Sequence, residues 1–443
     1  MEKKLLARYP LGNPHRVWRQ DNLLLNIASA GPMGLEIKNA WTMEKTRRAV
    51  KTCMDAGFNM IGTLWGSPEI VTEIVRTAER LGGNVLYQNL KRFGGMGHKH
   101  IFCEKNDLQG AIRDTECWRS IKGYCLWDEP ILEEHLHETH CMIELCEKER
   151  PDVLPYTVAN PSYNSRCRWE DGAYAPYIDR FLDIINPAQM SFDYYPIGRP
   201  EYDPALQLDH STMWCDLETV RRAAQKHSVP FWFAYQGQRF PWHKIYYTFH
   251  FDMARAMAYA GILHGAKGLE CYTEFNGFVD PATGGCGAFY EEQKRLNGEL
   301  LALGNTLMAL TCLRVIHDDT LLPECPYMEG LRTSMEESEL LEGGLTPRIS
   351  VSEHSDAYGN RYLMVLNRDY DQTAHLELKL KQPSRVYEVS KKDGEQHLCY
   401  DDAKSLPILL QPGDLALYRI QPADEAPFTV EYYLEKAKAA PSC

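Results

Sequence analysis

Residues 123–130 read Gly123-Tyr124-Cys125-Leu126-Trp127-Asp128-Glu129-Pro130. A short apolar run with no alternating polar face is what a strand buried on both sides requires. Pro130 closes the run, because proline has no N–H for a ladder. Two acids placed straight after such a strand are poorly hydrated, and desolvation together with mutual repulsion raises a carboxyl pKa. A raised pKa is what a general acid needs near neutrality. Asp128 also has the side chain of a helix N-cap for the segment that follows.

The same unit recurs on both sides of this segment. Upstream, Leu23–Ser29, Asn59–Trp65 and Val85–Leu90 are apolar runs, separated by segments with Ala49, Val50, Cys53 and Met54, then Ile70, Ile74, Ala78 and Leu81, at helical spacing. Ser67-Pro68-Glu69 is a helix start, with Ser as cap and Pro in the first helical position, and Gly82-Gly83 is a stop. Downstream, Leu154–Val158, Gln189–Tyr195, Phe231–Tyr235 and Gly268–Thr273 are the remaining strands. Helices are expected near residues 107–120 and over 132–149, 177–185, 245–263 and 290–310, with one more capped by Asp216. This succession of eight strand–helix pairs predicts an α/β fold, a (β/α)8 TIM barrel, over residues 1–313. A doubly wound sheet would carry a GxGxxG turn after its first strand, where this chain has Ala30-Gly31-Pro32-Met33-Gly34.

Beyond Leu313 the pattern changes to short strands: Arg348–Ser352, Tyr362–Leu366, His375–Leu380, Val386–Val389 and Leu415–Ile420, with turn signals such as Asp393-Gly394 and Pro412-Gly413 between them. Residues 314–425 are therefore expected to form a small antiparallel all-β sandwich domain, with 426–443 as a tail.

Composition narrows the function classes. The chain has 443 residues, 44% hydrophobic and 25% charged, and a net charge of -13. So acidic a chain without a basic stripe is not expected to bind nucleic acid. No apolar run approaches a membrane span or a signal-peptide core. The 14 cysteines form no CxxC pair; with no export signal they read as reduced thiols in a cytoplasmic protein. Oligomeric state is left open, a homo-oligomer included.

In a barrel of this kind the chemistry sits at the C-terminal ends of the strands. There the candidates are Asp128 and Glu129 on the fourth strand, and Asp193 with Tyr195 on the sixth. The seventh offers Tyr235 and Gln236, and the eighth offers Glu270, Tyr272 and Glu274. Asp193 inside an apolar strand is costly unless paired. Glu270, deeper than Glu274, is expected to pair with a buried cation. Trp65, Trp127, Trp242 and Tyr195 fall near strand ends as aromatic platforms. The histidines of His135-Leu136-His137-Glu138-Thr139-His140 lack HExxH spacing and read as a solvated helix face. Phe93-Gly94-Gly95-Met96-Gly97-His98 lacks the Walker lysine and reads as a mobile loop at the barrel mouth. No Cys/His set has zinc spacing, and neither a metal nor an organic cofactor is implied.

The segment GYCLWDEP resembles the fourth-strand signature of the retaining glycosidase clan, where Asn-Glu-Pro is usual and the Glu is the acid/base. FDYYP resembles the sixth-strand segment of related barrels. AYAGILHGAKGLECYTEF resembles the eighth-strand region of β-galactosidase-like and agarase-like barrels, and RVYEVSKKDGE with LLQPGDLALYRI resembles their C-terminal β-domain. The resemblance implies hydrolysis of a glycosidic bond in a carbohydrate substrate, with Glu129 as acid/base and Asp128 in the Asn position. It also implies Asp193 and Tyr195 as substrate-binding residues. It departs on the seventh strand, where the clan nucleophile is a Glu and this chain offers Tyr235 or Gln236. The partner carboxylate is then Glu274 or Asp193. Alternatives are a sugar-binding barrel without catalysis, or a carbon–oxygen lyase with Tyr235 as base.

Overall fold

The computed structural model describes residues 12–30, 41–63, 67–97, 106–169, 173–198, 207–238, 240, 249–272, 277–318 and 335–425. Eight parallel strands form one sheet: β1 (Leu24–Ile27), β2 (Met60–Gly62), β3 (Val85–Tyr87), β4 (Ile121–Asp128), β5 (Leu154–Val158), β6 (Met190–Tyr194), β7 (Phe231–Gln236) and β8 (Gly268–Tyr272). Their order is β5-β4-β3-β2-β1-β8-β7-β6. The Ala159–Phe192 bridge, with the Ala159 amide 2.8 Å from the Ser191 carbonyl, closes the ring between β5 and β6.

Helices α1 (Met43–Asp55), α2 (Pro68–Leu81), α3 (Leu108–Thr115), α4 (Glu133–Glu149), α5 (Ala175–Ile185), α6 (Gln207–His210), α7 (Met213–Lys226), α8 (Phe251–Leu263) and α9 (Tyr290–Ala309) surround it. Their ends follow the sequence signals. Ser67 caps α2 through its side chain, and Gly82 ends it in the left-handed region. Asp216 is not a cap: it lies inside α7, and its carboxylate accepts from the Ser162 amide at 2.8 Å. Among the described residues no helix is long and apolar enough to cross a membrane.

Two hydrophobic layers result. Outward residues such as Leu25, Phe233 and Tyr235 pack on the helices, while Leu24, Met60, Leu86, Cys125, Tyr156 and Trp232 fill the barrel interior. The second domain is one antiparallel seven-stranded sheet. It comprises β9 (Thr311–His317), β10 (Leu341–Gly343), β11 (Ile349–Ser355), β12 (Arg361–Asn367), β13 (Ala374–Val389), β14 (Gln396–Leu410) and β15 (Leu415–Pro422). The expected strands over 375–380 and 386–389 are parts of one long strand, β13, bulged between Lys379 and Val386. Its partner β14 has six consecutive exposed residues, 397–402, and so lacks the inward–outward alternation that marks a strand.

Candidate active site

The site begins with a bulge in β4. Against β5, Cys125 pairs with Tyr156 and Asp128 with Val158, while Trp127 pairs with Thr157, so Leu126 is the extra residue. Tyr156 and Val158 face the barrel interior, so Cys125 and Asp128 do as well, although three positions separate them. The bulge turns Trp127 outward. Its ring stacks on His135 of α4 at 4.5 Å and is fully buried. Trp127 is thus core rather than a platform, and His135 is buried rather than on a solvated face.

Glu129 follows with φ 56, a left-handed conformation uncommon for a residue with a side chain. Neighbouring bonds hold it there. The Glu129 amide donates to the Val158 carbonyl at 3.0 Å, and the Gly97 amide donates to the Asp128 carbonyl at 2.7 Å. The Tyr177 hydroxyl on α5 donates to the Pro130 carbonyl at 2.9 Å and accepts from the Asn160 amide at 3.2 Å. The glycine-rich segment is therefore part of the site's scaffold, not a mobile loop, through Gly97. A Cβ at Gly94 would stand 2.0 Å from the Leu126 carbonyl oxygen, and one at Gly95 2.5 Å from the Trp127 ring. Glycine there lets the segment lie against β4.

Four acids converge on the interior above the apolar plug. Asp128 and Glu129 are partly exposed at the mouth, while Asp193 on β6 and Glu270 on β8 are buried. Asp193 stands beside Ala234 of β7, Ala234 beside Glu270, and Glu270 beside Asn26 of β1. At this level β7 contributes only the methyl group of Ala234. The Glu129 and Asp193 carboxyls hydrogen-bond each other, which requires a proton between them. Burial, then the charge of Asp193 and this bond, push Glu129 well above the ordinary carboxyl range, with the Asn160 amide opposing. Burial and the Asp128 charge push Asp193 up to about 7, while bonds from Tyr195 and Glu129 pull it back. Burial, then Glu129 and Glu270, hold Asp128 well above its usual range. The other oxygen of Asp193 is buried with no hydrogen-bond partner.

Glu270 was expected beside a cation. Its partners are instead the Asn26 amide, which donates to it, and the Tyr156 hydroxyl at 3.4 Å; burial pushes its pKa up to about 7. Asn26 and Tyr156 were missed by sequence reasoning. Asn26 inside LLLNIAS was the available signal, since a polar side chain in an apolar strand needs a partner. Above these groups, Tyr195 and Tyr272 stack at 4.9 Å, and Phe240 meets them edge-on at 5.2 and 5.5 Å.

Glu129, Asp128, Asp193, Tyr195 and Tyr272 therefore come together. Two expected residues do not, and both are corrections. Tyr235 faces the helices, where its hydroxyl accepts from Gln293 of α9 at 3.2 Å; β7 alternates, and Trp232 and Ala234 take the inner face. Gln236 is fully buried and spends its amide on backbone: it accepts from the Ile197 amide at 2.9 Å and donates to the carbonyls of Ile197 at 3.0 Å and Gln238 at 2.9 Å. Trp65, Trp242 and Glu274 lie outside the described residues. Among the described residues no group of three or more His, Cys, Asp or Glu side chains is arranged to hold a metal ion.

No family model matches the chain, and no curated protein does. Solved structures are similar in fold. A GH27 β-L-arabinopyranosidase from Geobacillus stearothermophilus aligns with a TM-score of 0.52 at 11% identity, over 97% of this chain and 100% of the other. A protein named as a candidate α-galactosidase from Bacteroides fragilis aligns with a TM-score of 0.53 at 9% identity, over 91% of this chain and 79% of the other. A second from the same organism, a candidate α-galactosidase/melibiase, gives 0.51 at 10% identity, over 90% and 79%. The chain thus shares their architecture of a parallel eight-stranded barrel followed by an antiparallel domain.

Proposed function

We propose that this chain is a glycoside hydrolase acting on a small glycoside or oligosaccharide. One observation carries the reading: a carboxyl pair from β4 and β6 meets at the C-terminal end of the barrel, both acids pushed upward, with no cation from the described residues among the largest influences on either. Glu129 holds the proton and is placed to deliver it to a leaving glycosidic oxygen. Asp193, buried and with one oxygen unpartnered, is the carboxylate that attacks the anomeric carbon or activates water. Hydrolysis by this pair requires the sugar to stand between the two groups. Separation to roughly 5 Å would give retention and roughly 6.5–9.5 Å inversion. The stacked Tyr195 and Tyr272 offer an apolar face beside the pair. The fold-level likeness to glycosidases supports this chemistry by analogy.

A panel of nitrophenyl glycosides, with the product anomer read by proton NMR, tests the reading. Turnover lost in Glu129→Gln with sugar binding retained supports it. A wild type that binds sugars but turns over no glycoside would make this a sugar-binding barrel instead. A lyase with Tyr235 as base is disfavoured by the outward position of that hydroxyl. A cytoplasmic location is part of the proposal, supported by eleven described cysteines that are all free; cell fractionation checks it.

A further inference from the structure

At the N-terminal end of the barrel, away from the carboxyls, a cavity of about 560 Å³ lies where the barrel meets the second domain. Lys267, just before β8, lines it and is 7% exposed. Its ammonium donates to the carbonyls of Leu307 and Leu310 at the end of α9, which leaves its third N–H unused. No carboxylate pairs with it among the described residues. The carboxylates nearby are committed elsewhere. Glu218 of α7 is held by Arg221 at 2.5 Å and Arg222 at 2.7 Å. Asp356 accepts from the Tyr358 amide at 2.9 Å and from the Asn360 backbone and side-chain amides at 3.0 and 2.7 Å. In the same wall His264 gives its Nδ1 to the Ala260 carbonyl at 2.8 Å, and its Nε2 is buried with no partner. Phe231 and Met308 make the cavity apolar elsewhere.

We propose that this cavity is a binding site for a small amphipathic carboxylate, its anionic end on Lys267 and its apolar body against Phe231 and Met308. A buried ammonium whose only partners are carbonyls leaves its charge uncompensated, and an anion in the adjacent space compensates it. A single charge fits best. One ammonium N–H is free, and the neighbouring guanidinium of Arg221 is already paired with Glu218, so a dianion would find no second cation among the described residues. The cavity volume is that of a small-molecule pocket.

Protonation supplies a signature. Burial lowers Lys267 to about 8, so a bound carboxylate would draw a proton onto it in mildly alkaline solution. The other groups facing it do not titrate there. His264 of α8 is lowered to about 4, His354 of β11 lies well below its usual value, Cys312 of β9 is raised to about 12, and Glu218 is lowered by Arg221 although buried. The probe is hexanoate, titrated calorimetrically into the full chain at about pH 6.5 and about pH 9.5, with hexylamine and inorganic phosphate as controls. Expected are hexanoate binding about tenfold tighter at the lower pH, proton uptake at the higher, and no binding of hexylamine. Binding should be lost in Lys267→Met and in Thr311→Trp. Thr311 lines the cavity but is exposed, so the second variant keeps its fold if the first does not. Absent binding, binding that ignores pH, equal binding of hexylamine, or binding that survives Thr311→Trp would overturn the site. Phosphate binding as tightly as hexanoate would overturn its assignment to a monoanion.

Discussion

Two sets of poorly hydrated acids in this chain differ in their neighbours. Asp209 and Asp318 meet the buried guanidinium of Arg368, and Asp209 also meets Arg348 at 3.0 Å; these pairs tie the barrel to the second domain. Glu218, locked to Arg221, keeps a lowered pKa despite its burial, while at Asp209 burial outweighs the opposing pull of Arg368 and Arg348 and the pKa is raised. Asp128, Glu129, Asp193 and Glu270 are also starved of water, but among the described residues they face one another and neutral donors, and all four are pushed upward. Both arrangements cost desolvation. In the first group a cation returns it as architecture, whereas in the second it remains as a store of transferable protons. Burial of an acid therefore says little about its role until its neighbour is known.

Exchanging one member of each group gives the largest tests of that contrast. Glu129→Gln should lower kcat by about 10³, roughly 4 kcal/mol of barrier, with thermal stability unchanged or raised, since a crowded carboxyl is removed. Steady-state kinetics beside a melting curve checks both halves. Arg368→Met should do the reverse in kind: a loss of about 3–5 kcal/mol in urea unfolding, because Asp318 loses this guanidinium and Asp209 is left to Arg348. Equal stability losses in the two variants would erase the distinction.

A smaller effect comes from pH. Glu270 stands at about 7 when folded, against an ordinary 4.5, so the native state binds the proton more tightly than the unfolded chain. Its favourable contribution is present in acid and is lost as pH rises through about 7. Wild type should thus lose up to about 3 kcal/mol relative to Glu270→Gln between about pH 4.5 and 7. Under the proposed function kcat/KM should rise through about pH 7 as Asp193 ionises, and fall once Glu129 does. The smallest effect expected is for Gln236→Leu. It should cost about 2 kcal/mol in unfolding by orphaning the backbone groups of Ile197 and Gln238, and should not alter KM as a sugar ligand would. A selective rise in KM would restore it as a substrate contact.

The barrel was legible because eight apolar runs alternate with helical spacing, and helix stops such as Gly82 carry their own chemistry. The acids at positions 128, 129 and 193 were legible because charge after or within an apolar strand is expensive. Orientation was not. The inner and outer faces of FWFAYQ are equally apolar, so nothing in its letters tells Ala234 from Tyr235. The partner of Glu270 was misjudged for a related reason. A carboxyl can be satisfied by an amide and a phenol as well as by a cation, and Asn26 and Tyr156 are distant in sequence. The strand β14 escaped because both its faces are wet over 397–402.

The surplus residue at Leu126 sets a rule for anyone remodelling this protein. Strands count side chains in twos, and this one counts a three. Excising Leu126 would restore the ordinary count and leave Cys125 and Asp128 facing the lumen and Trp127 the helices, whereas a deletion in the regular stretch before Cys125 would exchange what the strand shows to either side. One-codon deletions along β4 should therefore differ in kind: loss of Leu126 straightens the strand and keeps both layers, while loss of a regularly paired residue such as Tyr124 disrupts them together.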